Sequence, residues 1–230
     1  MSNVNKKPKD KIRTVKKSKP ENVDYRVSLV TDRDRAKCIA KIERKVRSSL
    51  EYKDYVKYLK DYTGLDKCIF FNKISSKNKR HVSIEMHHEP FTLYDIAEVV
   101  LTKFITTGEK INISLMASEV MKIHYSNMVG LVPLSKTAHQ IVHNSPDKAF
   151  VPLSFVYGEY SKFLEEYDEY ISKDEELCNR LYDKLERAIE RTENLTKDSF
   201  DALVKEFTYI DIEGVDSVSK VEDPNQQNVA

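Results

Sequence analysis

The chain reads as an α+β protein: a small histidine-bearing core of strands and one short helix, with a helical insertion and mostly helical N- and C-terminal extensions. Three observations predict this. Four of the six histidines fall in two short stretches, Ile84 to Pro90 and Leu131 to His143. The first alternates, with Val82, Ile84 and Met86 on one side and Ser83, Glu85 and His87 on the other, as a strand does. Residues 49–62, 93–104 and 160–171 repeat their apolar residues at helical three- and four-residue steps.

Residues 1–22 hold eight Lys/Arg up to position 20 against one acid, Asp10, and almost no large apolar group. They cannot offset the entropy of ordering by burial and read as a disordered basic arm. The arm suits phosphate contacts, Lys16 and Lys17 among them. Residues 23–65 read as N-terminal helices. The helix at 32–47 has a thin apolar face (Ala36, Ile39, Ala40, Val46), and that at 49–62 a fuller one (Tyr52, Tyr55, Val56, Leu59, Tyr62), ended by Gly64.

Residues 66–146 form the expected core. Residues 68–74 predict a strand, and the polar turn that follows predicts a hairpin into 81–87. Lys77, Lys79 and Arg80 in that turn are candidate phosphate contacts, with Arg80 the clamp. Thr92 and Asp95 resemble a capping box ahead of Leu93, Ile96, Ala97, Val100, Leu101 and Phe104, a clear amphipathic helix broken at Gly108. A second helix over 115–125 carries His124, read as a surface or partly buried residue, with a role in supporting the site or meeting substrate as the alternative. A strand from Leu131 then leads into a short helix, with Ser135 as N-cap and His139 and His143 on one face.

Residues 147–213 read as a helical region. Tyr160, Phe163, Leu164, Tyr167, Tyr170 and Ile171 mark one face, and Ser172 with Glu175 reads as a capping box restarting a helix through Leu177, Leu181 and Leu185. Thr196 caps a further helix carrying Phe200, Leu203, Val204 and Phe207. These faces suit a layer over the core or a homodimer contact. Residues 214–230 read as a disordered tail.

The three cysteines, Cys38, Cys68 and Cys178, are too few and too scattered for a disulfide framework or a Cys-x2-Cys zinc site. No apolar run approaches the roughly 20 residues of a membrane span, and the N-terminus lacks a secretory apolar stretch. The expected setting is cytoplasmic, with no membrane partner.

Two imidazoles four apart on a helix, plus a third from a nearby strand, suit a metal site with open positions. The pattern Glu85-x-His87-His88, followed by His139-x3-His143, resembles the HNH or ββα-metal nucleases, and among them the colicin DNase branch, which lacks zinc cysteines. The resemblance spans residues 66–146 and implies a metal-dependent endonuclease that hydrolyses phosphodiester bonds in DNA, with RNA also open. It implies His87, His139 and His143 as ligands of one divalent ion, His88 as general base, and Glu85 beside them. Imidazoles suit Zn or Ni, and the family includes members active with Mg or Mn, so these four metals stand together. One position departs from the pattern. Gly130 stands nine residues before His139, where the family carries an asparagine that orients the general base, and Asn127 is the nearest substitute. That departure motivates one alternative, a catalytically weak or inactive metal-stapled nucleic-acid-binding protein. A helical structural or assembly protein is the other. The layout also looks like small phage-encoded nucleases, which would place the chain in the host cytoplasm.

Overall fold

The computed structural model describes residues 31–71, 75, 77, 83–144, 149–196 and 201–205. Among them it is α+β and mostly helical, with one small two-stranded sheet. The order is α1 (Asp32–Ser48), α2 (Leu50–Tyr62), β1 (Ile84–His88), α3 (Leu93–Thr106), α4 (Ile113–Tyr125), β2 (Leu131–Ser135), α5 (Lys136–Asn144), α6 (Tyr160–Ile171) and α7 (Glu175–Glu193). No helix among these residues is long and apolar enough to cross a membrane.

Two apolar cores flank the sheet. The larger joins α1 to α4, α6 and α7. The face that α1 buries is Cys38, Ile39, Ile42 and Val46, while Ala36 and Ala40, expected inside, are exposed. Ile39, Ile42 and Val46 lose all contact with water, worth about 1.5–3 kcal/mol each. On α2, Tyr52, Tyr55 and Leu59 are buried as their spacing predicts, but Tyr62 is 79 % exposed and stacks on Tyr58. The smaller core gathers Cys68, Phe70, Ile84, Val132, Leu134, Ala138, Ile141 and Val142 beneath the sheet and α5.

Among the described residues the expected hairpin is not the pairing that forms. Residues 68–71 are not in a strand, and β1 pairs antiparallel with β2, from the far side of the helical insertion. Ile84 lies opposite Ser135, Met86 opposite Pro133 and His88 opposite Leu131. The preceding segment touches the sheet through a bond from the Ile69 N–H to the Pro133 carbonyl and through a bridge between Lys67 and Ser75. Cys68 and Phe70 enter the smaller core beside Ile84 of β1 and Val132 and Leu134 of β2.

Beyond β2, the backbones of Leu131 and Tyr157 exchange two hydrogen bonds. This close approach needs glycine on both sides. A Cβ at Gly130 would sit 1.8 Å from the Glu89 carbonyl oxygen, and one at Gly158, where φ is +107°, would sit 2.0 Å from that of Val129.

Thr92 and Asp95 do form a capping box on α3. Asp95 is only 1 % exposed and also takes both short bonds from Lys184 of α7. Next to it, Glu98 receives Arg180, and Arg35 bonds Asp174 at 2.8 Å. These ion pairs hold α7 across α1 and α3. Asp174, not Ser172, caps α7, accepting from the Leu177 N–H, while Ser172 closes α6. Asp174 fits because its carboxylate serves both the cap and Arg35. Residues 201–205 are helical and Leu203 joins the smaller core; Phe200 and Phe207, like the terminal arm and tail, lie outside the described residues.

Candidate metal centre

The pleat of β1 divides its two histidines. Successive side chains leave opposite faces of a strand, so Glu85 and His87 point to one side while Met86 and His88 point to the other. On the first side stands α5. β2 runs directly into it, with Ser135 Oγ accepting from the Ala138 N–H at 3.2 Å, as the sequence predicts for an N-cap. His139 and His143, one turn apart, therefore face His87.

The three imidazoles converge. One nitrogen from each of His87, His139 and His143 lies within 4.8 Å of the others, and ring centroids are 4.6–5.2 Å apart. His139 Nδ1 is 2.7 Å from Glu85 Oε2. A carboxylate can only accept, so Nδ1 carries the proton and the Nε2 lone pair faces the cluster. That Nε2 is 3.1 Å from His143 Nε2. A carboxylate holding the outer nitrogen of a histidine is the usual support of a metal ligand. Burial depresses the pKa of His139 against the upward pull of Glu85; it also depresses that of His143, helped by His87 and His139. Both shifts favour the neutral imidazole, the form that binds metal.

His88 goes elsewhere. His124 Nδ1 donates to the Val120 carbonyl at 2.7 Å, so its Nε2 accepts, and His88 Nε2 donates to it at 3.1 Å. His124 is 0 % exposed, enclosed edge-on by Tyr52 and Tyr55, which corrects the expectation of a surface or partly buried residue. Burial lowers the His124 pKa to about 4 and pushes that of His88 well below the ordinary value. His88 is thus tied by its Nε2 into the helical core.

Lys77 pairs with Asp66 at 3.6 Å. Lys79, Arg80, Lys16 and Lys17 lie outside the described residues. Asn127 adopts a left-handed backbone (φ 59°) and its carbonyl accepts from the Glu159 N–H, a turn role. Gly130 is required by the packing already described, so no asparagine fits there.

A cavity of about 330 Å³ opens beside the cluster, with His87 and His143 on one wall and Lys184, Arg187 and Arg191 of α7 on another. The sequence reading passed over these three cations. Their spacing, at i, i+3 and i+7, was the signal that they share a helix face.

A family described as Bacteriophage G278-like virion protein matches residues 1–213. The chain belongs to that family. This overturns the expected HNH endonuclease, and with it His88 as the general base of a phosphodiester hydrolase. The histidine pattern is short, and a few residues in a familiar spacing weigh less than a match over nearly the whole chain. No curated protein and no solved structure matches the chain significantly. Of the expectations, the phage association and the structural or assembly alternative are those the virion family favours.

Proposed function

We propose that this member of the virion protein family is a structural or assembly component of the phage particle, in which one divalent transition metal pins a ββα unit made of β1, β2 and α5. The observation that carries the metal is the convergence of His87, His139 and His143, with Glu85 setting the tautomer of His139. The reading also has a physical motive. The sheet has only two strands, and a two-stranded ribbon is marginal by itself. The ion would join β1 to α5 across a separation of 52 positions, from His87 to His139. Imidazole donors favour Zn, Ni or Co over Mg. The ion's chemistry here is coordination, and the reading requires no turnover.

Two measurements test it. Mass spectrometry of purified particles should find the chain, and its absence from particles would refute the virion role. Metal analysis of the full chain should find about one ion per chain, removable by chelator with a fall in Tm. His143→Ala should lose both the ion and the chelator response; a variant that keeps them would remove His143 from the ligand set.

A further inference from the structure

β1 ends at His88, but its ladder runs one residue further. The Glu89 N–H donates to the Gly130 carbonyl at 3.1 Å, the next step after the pairing of His88 with Leu131. Alternation then puts Glu89 on the side of Glu85 and His87. The contact between Glu89 Oε2 and His87 Nε2, at 3.4 Å, agrees with that placement. The backbone of Glu89 is held from its carbonyl side as well, since a Cβ at position 130 would meet that oxygen at 1.8 Å. Packing against Gly130 thus fixes the root of the Glu89 side chain beside the cluster. His87, Glu89 and His143 line one cavity.

The two carboxylates on this side meet their histidines differently. Glu85 takes the outer nitrogen of His139 at 2.7 Å, a short hydrogen bond. The 3.4 Å between Glu89 and His87 Nε2 is longer than the ordinary N–H···O range of about 2.7–3.2 Å. It matches instead the spacing of two ligands on one ion. Bonds of about 2.0–2.1 Å in a tetrahedron put neighbouring donor atoms about 3.3–3.4 Å apart. The 3.1 Å between the Nε2 atoms of His139 and His143 is close to the same edge. Resting on the metal reading, we propose that Glu89 is the fourth ligand of the ion, giving one carboxylate oxygen beside the Nε2 atoms of His87, His139 and His143. Its oxygen stands outside the group of three nitrogens that lie within 4.8 Å of one another, so the side chain turns inward on binding. At 25 % exposure it is free to do so. Three imidazoles and a carboxylate make a closed tetrahedral site of the structural kind, with no position left for water or a substrate. The end of β1 then gains a second attachment to α5 through the ion.

The test uses the full chain loaded with Co(II), whose visible spectrum reports its coordination, and titrates in azide as a small competing ligand. The closed wild-type site should show no change. Glu89→Ala should bind Co(II) about tenfold or more weakly and should gain a spectral response to azide at the vacated position. The variant keeps the backbone bond to Gly130 and loses only a partly exposed side chain, so its circular dichroism should match the wild type. A carboxylate that merely steadied His87 from outside would also weaken binding on removal, but it would leave the wild type itself open to azide. An azide response in the wild type would therefore overturn the proposal, whether or not the variant folds. Unchanged affinity in Glu89→Ala, with the same indifference to azide, would overturn it too. Failure of the wild type to take up Co(II) would instead overturn the metal reading beneath it.

Discussion

The buried His124 should make the chain sensitive to acid. In an unfolded chain a histidine titrates near about 6.5. In the folded chain burial holds His124 down to about 4. A depressed histidine pKa means that the unfolded state takes up a proton which the folded state refuses. The stability is therefore complete above the unfolded pKa and falls as pH drops from about 6.5 toward about 4. Each unit of that interval removes about 1.4 kcal/mol, so His124 alone should cost about 3 kcal/mol by its lower end. His88, depressed by burial first and then by its neighbour's charge, acts in the same direction. For a chain of this length a loss of about 3 kcal/mol lowers Tm by roughly 6–12 °C. The assay is urea unfolding followed by circular dichroism from about pH 7.5 to about pH 4.5 in chelator, comparing wild type with His124→Gln. The cluster histidines titrate alike in both proteins, so the difference in slope isolates His124 and its partner. The variant starts less stable, because it loses the bond to Val120, but should lose less with acid. Parallel slopes would refute the reasoning, since they would mean that the buried pair contributes no uptake of protons on unfolding.

Three further outcomes follow from the geometry. Glu85→Gln removes the charge behind His139 and should weaken metal binding about 10- to 100-fold, read by competition with a metal indicator; an unchanged Kd would discount the carboxylate's support. Asp95→Asn breaks both the α3 cap and the Lys184 pair and should destabilise by about 2–3 kcal/mol in urea unfolding, discounted for the partial exposure of Lys184. A loss below about 0.5 kcal/mol would show that water replaces both contacts. Gly130→Ala drives a methyl into the Glu89 carbonyl and should cost at least about 2 kcal/mol; a variant with wild-type Tm would contradict the close approach.

The helices were largely legible. Periodicity located α3, α4 and α6, and Thr92 with Asp95 marked a real cap, because these signals depend on residues within a turn or two of one another. That His139 and His143 share a helix face was legible too, since i, i+4 spacing is a local rule, whereas His87 was named as their companion only through the resemblance to the nucleases. Pleat alternation should also have warned that His87 and His88 leave opposite faces. What misled was the likeness of a few histidines to a nuclease motif, which local spacing can imitate without the family that normally carries it.

The sequence by itself determined which segments become helices, most of the residues that line their faces, and that His139 and His143 share one face of α5. The tertiary structure alone decided the partner of β1, the burial of His124 against His88, the need for glycine at position 130, and the arrival of the α7 cations beside the histidine cluster. The physical reason is range. Helical periodicity and capping are energies between residues a few positions apart. Strand pairing, desolvation of an imidazole and the crowding of two backbones depend on chain brought together from far along the sequence, and only the packed core chooses among those encounters.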